Sequence, residues 1–121
     1  MIYPLSPQRA ARWAWIATFL LAALLGALTL TPSVPSVGPA TNDKVQHFIG
    51  FALLAAPLGV AYPRRILAVI FAAVLFGAMI ELVQPFVGRE REGADLIADT
   101  LGAVFGGTLA RVWALRRARV R

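Results

Sequence analysis

The sequence predicts an all-α fold, a four-helix transmembrane bundle, from three observations. The chain has 121 residues, too few for more than one domain, and 59% of them are hydrophobic. That share, with a mean hydropathy of +0.70, exceeds the roughly 45–50% apolar content of soluble domains. A soluble fold this small cannot bury so much apolar surface, so lipid takes the place of a core. The third observation is spacing: four apolar stretches recur, each near the ~20 residues that cross ~30 Å of hydrocarbon.

The predicted helices cover residues 12–30, 45–62, 65–86 and 95–115 of a single domain, 1–121. The first holds the eighteen uncharged residues Trp13–Leu30. That run is longer than the 7–15-residue core of a cleaved signal peptide, so it is read as a retained span. The second is broken only by Gln46 and His47. The third carries Glu81 and Gln84 near its end, with Pro85 closing it or kinking its last turn. The fourth carries Asp99 and Arg111. A Pro-rich stretch (31–42), a tight turn at Pro63–Arg65 and a polar segment near 88–94 connect them.

Charge sets the expected orientation. The net charge is +6, but the basic residues flank apolar segments instead of clustering on one face, which argues against nucleic acid. Arg9, Arg12, Arg64, Arg65, Arg111, Arg116, Arg117, Arg119 and Arg121 fall at one end of a four-pass bundle, and Lys44, Arg89 and Arg91 at the other. Nine against three places both termini in the cytoplasm by the positive-inside rule. Trp13, Trp15, Tyr62 and Trp113 fall near that cytoplasmic interface, as an aromatic belt does. All six acids belong to the opposite, extracytoplasmic half. The expected location is a plasma membrane, multi-pass, with the bilayer as one partner.

Those acids have company. In "DKVQHF" (43–48), Asp43 and Lys44 stand four and three residues before His47, on one helical face. "ELVQPF" (81–86) puts Glu81 and Gln84 one turn apart. "DLIADTLG" (95–102) lines up Asp95, Asp99 and Gly102. Charges inside hydrocarbon cost about 2.5–3.5 kcal/mol each on insertion scales. They should turn inward and meet, forming a polar cavity that opens outward. The candidate catalytic residues are His47, Glu81 and Asp95: His47 as general acid/base, because imidazole titrates near working pH, with Glu81 or Asp95 orienting it. The candidate substrate-binding residues are Asp43, Lys44, Gln84, Arg89 and Asp99, with Lys44 and Arg89 holding an anion. A metal variant of the site would use His47, Glu81, Asp95 and Asp99 as nitrogen and oxygen ligands, but no HExxH-type spacing supports it, the chain has no cysteine, and neither metal nor cofactor is assigned.

Three ordered blocks carry a resemblance. "DKVQHFIGFALL", "GAMIELVQPFVGRERE" and "DLIADTLGAVFGG", spanning 43–107, resemble the VanZ-like family of small bacterial membrane proteins. The family pattern is an Asp-Lys-x-x-His-Phe opening, a Glu-x-x-Gln pair, an Arg, then Asp-x-x-x-Asn-x-x-Gly. The match puts Asp43, Lys44, His47, Phe48, Glu81, Gln84, Arg89, Asp95 and Gly102 at its signature positions. Asp99 departs from it, standing where the family usually has Asn. The family takes its name from a protein linked to low-level teicoplanin resistance, so the resemblance implies an envelope role and antibiotic tolerance without naming a reaction.

Two function classes follow. One is a binder of an anionic envelope molecule, such as a lipid phosphate or lipid-linked precursor, that also acts on it if the site is catalytic. The other is a non-catalytic scaffold or accessory subunit whose polar residues form an ion-pair network fixing helix register. Nothing in the sequence fixes the oligomeric state. Gly102, Gly106 and Gly107 suit close helix packing, and Thr41 or Asp43 suits a helix cap.

Overall fold

A computed structural model describes residues 5–32 and 40–121. They form four helices, α1 (Pro7–Leu30), α2 (Ala40–Ala61), α3 (Ile66–Val83) and α4 (Gly93–Arg119), with short 3-10 turns at Pro63–Arg65 and Gln84–Val87. There is no strand among the described residues. The stretch 33–39 of the Pro-rich connection and the Thr41 side chain lie outside them. Asp43 stands in the first turn of α2, beyond its cap.

The boundaries shift for local reasons. Helix α1 begins five residues before the expected start, because Pro7 occupies its first turn and Ser6 Oγ accepts a hydrogen bond from the Arg9 amide. Helix α3 stops at Val83, short of the expected residue 86. Pro85 lacks a backbone donor, the chain tightens into a 3-10 turn, and Gly88 closes it at φ 76°. Helix α4 runs on to Arg119. Arg116, Arg117 and Arg119 in its last turn complement the partial negative charge of the helix end.

Three segments are long and apolar enough to cross a membrane: Pro7–Leu30, Asp43–Ala61 and Pro63–Val87. This is a membrane protein. Helix α4 is long enough at 27 residues but less apolar, because it carries Asp95, Asp99 and Arg111. It compensates by lying against its neighbours. Its buried residues, Asp95, Ala98, Asp99, Gly102, Ala103, Gly106, Gly107 and Ala110, make one stripe at helical spacing. A Cβ at Gly102 would meet the Phe48 carbonyl oxygen, and one at Gly106 would meet that of Ala52. Two glycines four apart therefore bring the α4 backbone onto α2, the small-xxx-small device of membrane helices. Behind them Phe51, Leu54, Ala55, Leu58, Ile66, Val69, Ala73, Ile80 and Ala103 fill the core.

The outer surface is apolar. Phe19, Leu67, Phe71 and Phe86 are exposed, as lipid-facing side chains are; Phe105 is also exposed and packs on Phe48 at 5.6 Å between centroids. Helix α1 buries no residue fully, yet it is tied at both ends. Trp15 Nε1 donates to Tyr62 Oη at 3.1 Å at one end. At the other, Gln84 Nε2 donates to the Thr29 carbonyl at 3.3 Å, and Arg89 Nη1 to those of Leu28 and Thr31 at 3.1 and 3.3 Å. These ties make the helices alternate in direction, so Arg9, Arg64 and Arg119 share one end of the bundle. The polar residues of α2, α3 and α4 share the other.

Candidate functional site

Every candidate residue chosen from the sequence is found at that polar end. His47, Glu81, Gln84, Asp95 and Asp99 are buried, and Asp99 completely so. The close contact between α2 and α4 created by Gly102 sets Asp43, Lys44 and His47 against Asp95 and Asp99.

The innermost pair is His47 and Asp99. His47 Nδ1 lies 2.7 Å from Asp99 Oδ1. When Asp99 is ionised it only accepts, Nδ1 carries the hydrogen, and in either case the ring is held with Nε2 turned away from Asp99. Nε2 has Asp95 Oδ2 as its neighbour at 3.6 Å, beyond hydrogen-bonding reach. The carboxylate that orients His47 is thus Asp99, and not Glu81 or Asp95 as the sequence suggested. The reason is helical phase: Asp99, one turn deeper along α4, comes level with Nδ1, whereas Asp95 faces the opposite ring nitrogen. Space for Asp99 comes from α3, where a Cβ at Gly77 would lie 2.9 Å from Asp99 Oδ2.

Around this pair the cations are engaged. The Lys44 ammonium donates to both Glu92 and Asp95, with Asp43 at 3.9 Å. Its hydrogen bond and charge hold the Glu92 carboxyl below the usual carboxylate range. Glu81 does not touch His47. Its Oε2 accepts from the Glu92 amide at 3.1 Å, and its own carbonyl accepts from Arg91 Nε at 3.2 Å. Glu81 therefore fixes the loop that delivers α4. Among the described residues, Glu81 Oε1, Gln84 Oε1 and Asp99 Oδ2 are buried acceptors without a hydrogen-bond partner.

Above the pair lies a cavity of about 700 Å³, within the range of small-molecule sites. Its walls combine apolar Leu25, Leu28 and Phe51 with Asp43, Lys44, His47, Gln84, Arg89, Glu92 and Asp95. Glu92 belongs to the polar connecting segment near 88–94 and is not among the site residues expected from sequence. The signal for it was present: Glu92 stands one helical turn before Asp95, so both carboxylates can reach one ammonium.

The family model VanZ/LLP1 matches residues 7–114. The chain belongs to the VanZ/LLP1 family. The match extends past the 43–107 span of the three motifs to include α1, the helix whose carbonyls receive Gln84 and Arg89. No curated protein and no solved structure matches the chain. In this VanZ/LLP1 protein, Asp99 keeps the acceptor oxygen that an Asn there would also offer to His47. It adds an ionisable group at a fully buried point of the site.

Proposed function

We propose that this VanZ/LLP1 protein binds the anionic headgroup of a cell-envelope lipid or lipid-linked molecule in its polar cavity. The observation that carries this reading is the cavity itself: its lining combines apolar Leu25, Leu28 and Phe51 with Arg89 and Lys44, and with His47, whose ring is bonded behind it to the buried Asp99. A lipid phosphate has the matching parts, a charged head and an apolar tail. Arg89 spends one nitrogen on the end of α1 and lines the cavity, and a guanidinium is a good phosphate partner. His47 Nε2 faces the bound group, with Asp99 orienting the ring. If chemistry follows, His47 is the proton-handling group, Asp95 lies beside it, and Glu81 keeps the α3–α4 loop in place.

The same reading sets the chain across the membrane four times with both termini in the cytoplasm, so that the cavity opens on the outer leaflet. Nine of the twelve basic residues at one end of the bundle support that orientation. Glycopeptide tolerance is then the phenotype to examine. The test is native mass spectrometry of the full chain released from micelles. A polyisoprenyl phosphate or phosphatidylglycerol should be retained in preference to a zwitterionic lipid, and Arg89→Gln should lose that preference. Equal retention of both lipid classes by the unmodified chain overturns the proposal.

A second reading has its own observation in support. Lys44, Arg89 and Arg91 all have partners within the chain, as in a scaffold whose ionic network joins α2 to α4. On that reading no headgroup is preferred.

A further inference from the structure

We propose that Asp43, His47 and Asp95 form a binding site for one divalent transition-metal ion, with Asp99 as the carboxylate that orients the histidine. The inference deepens the reading of the same cavity and rests on it only for the anion that would complete the ion's coordination.

The argument starts from the ring of His47. Asp99 takes the Nδ1 hydrogen at 2.7 Å, so the lone pair of a neutral ring is on Nε2. That atom makes no hydrogen bond among the described residues, although His47 is only 6% exposed. It looks toward Asp95 Oδ2 at 3.6 Å. A lone pair facing a carboxylate is repulsive unless a proton or a metal ion lies between them, and at 3.6 Å the pair is too far apart for a hydrogen bond. A histidine that gives one ring N–H to a carboxylate and its other nitrogen to a metal is the usual arrangement at metal centres, because the carboxylate fixes the tautomer.

The ligand atoms converge. One atom each from Asp43, His47 and Asp95 all lie within 4.8 Å of one another. Atoms bound about 2.1 Å from a common ion at tetrahedral angles are ~3.4 Å apart, so side-chain shifts of about an ångström close the site. Asp43 and His47 are one helical turn apart on α2, and Asp95 comes from the first turn of α4. Lys44 occupies Asp95 Oδ1, which leaves Oδ2 on the His47 side.

Charge favours a cation here. Asp43, Glu92 and Asp95 are three carboxylates within 4 Å of the Lys44 ammonium, Arg89 is the other cation lining the cavity, and Glu81 Oε1 and Asp99 Oδ2 are buried acceptors without partners among the described residues. An anionic headgroup entering this cavity meets repulsion from its floor; a divalent ion reverses the sign of the field it meets. One imidazole nitrogen and two carboxylate oxygens suit the manganese-to-zinc series better than magnesium or calcium, which favour all-oxygen sites. Three protein ligands also leave coordination positions open to a phosphate oxygen.

The test is direct metal binding by the full chain in micelles, stripped with chelator and free of added lipid. Manganese(II) is titrated and followed by the loss of its free-ion paramagnetic resonance signal, with zinc as competitor. The expected result is saturation at one ion per chain, weakened at least about tenfold in Asp43→Asn and in His47→Gln, and unchanged in Arg64→Gln, at the opposite end of the bundle. Asp43 is partly exposed at the helix start, and helicity by circular dichroism confirms that its variant is folded. Glutamine at 47 keeps a hydrogen-bonding group, and the same helicity measurement confirms that this variant is folded too. Absence of saturable binding, or an Asp43→Asn chain that binds manganese as the unmodified one does, overturns the site. Metal binding without headgroup preference removes only the anion reading, and headgroup preference without metal binding removes only this inference.

Discussion

His47 on α2 and Asp99 on α4 are joined through Nδ1 and Oδ1 at 2.7 Å, and no part of Asp99 reaches solvent. The bond crosses between two helices whose backbones touch at Gly102 and Gly106. It is therefore both a structural link and the feature that sets which nitrogen His47 offers to the cavity.

These two roles separate under substitution. Asp99→Asn keeps an acceptor oxygen for Nδ1 and restores the residue usual in the family pattern. Asp99→Ala leaves the Nδ1 hydrogen buried without a partner, which costs about 1–3 kcal/mol. Thermal unfolding in micelles should therefore rank Asp99→Ala clearly below Asp99→Asn. Equal melting of the two variants would mean that the bond contributes nothing to the fold.

The helix contact makes a separate prediction. A Cβ at Gly106 falls on the Ala52 backbone, which cannot rotate away, whereas one at Gly26 meets nothing within 4 Å. Gly106→Ala should destabilise by about 1–3 kcal/mol, as overpacking does. Gly26→Ala should be neutral or stabilising by up to about 1 kcal/mol, because alanine is the better helix former. A denaturation series on both variants checks this, and a neutral Gly106→Ala would contradict the packing of α4 on α2.

Orientation is open to labelling, because the chain has no cysteine of its own. Glu90 and Arg64 are both exposed, at opposite ends of the bundle. A cysteine replacing Glu90 should react with a membrane-impermeant maleimide on intact cells. One replacing Arg64 should react only after permeabilisation. The reverse pattern would turn the cavity toward the cytoplasm.

Much of this architecture was legible in the residues themselves. Apolar runs near twenty residues long announced the helices, and buried charge has so few tolerable solutions in lipid that Asp43, His47, Glu81 and Asp95 had to converge. The pairing within the cluster was not legible. Whether His47 meets Asp95 or Asp99 depends on the axial offset of α2 and α4, which Gly102 and Gly106 set through backbone contact. Arg89 looked like a free anion ligand in sequence, but it also serves the last carbonyls of α1, sixty residues away in the chain. Residue spacing on one helix gives a face; only packing gives the partner.

The central claim is that the His47–Asp99 pair serves a ligand. The most direct measurement is the thermal unfolding midpoint of His47→Gln beside that of the unmodified chain, each with and without a polyisoprenyl phosphate in the micelle. Ligand that binds only the folded state raises the midpoint in proportion to its occupancy. The account predicts closely similar midpoints for the two chains without lipid, because glutamine keeps a hydrogen-bonding group at position 47, and a rise with lipid in the unmodified chain alone. A His47→Gln chain that melts well below the unmodified one yet responds equally to the lipid would contradict it, and the pair would then be a lock between helices.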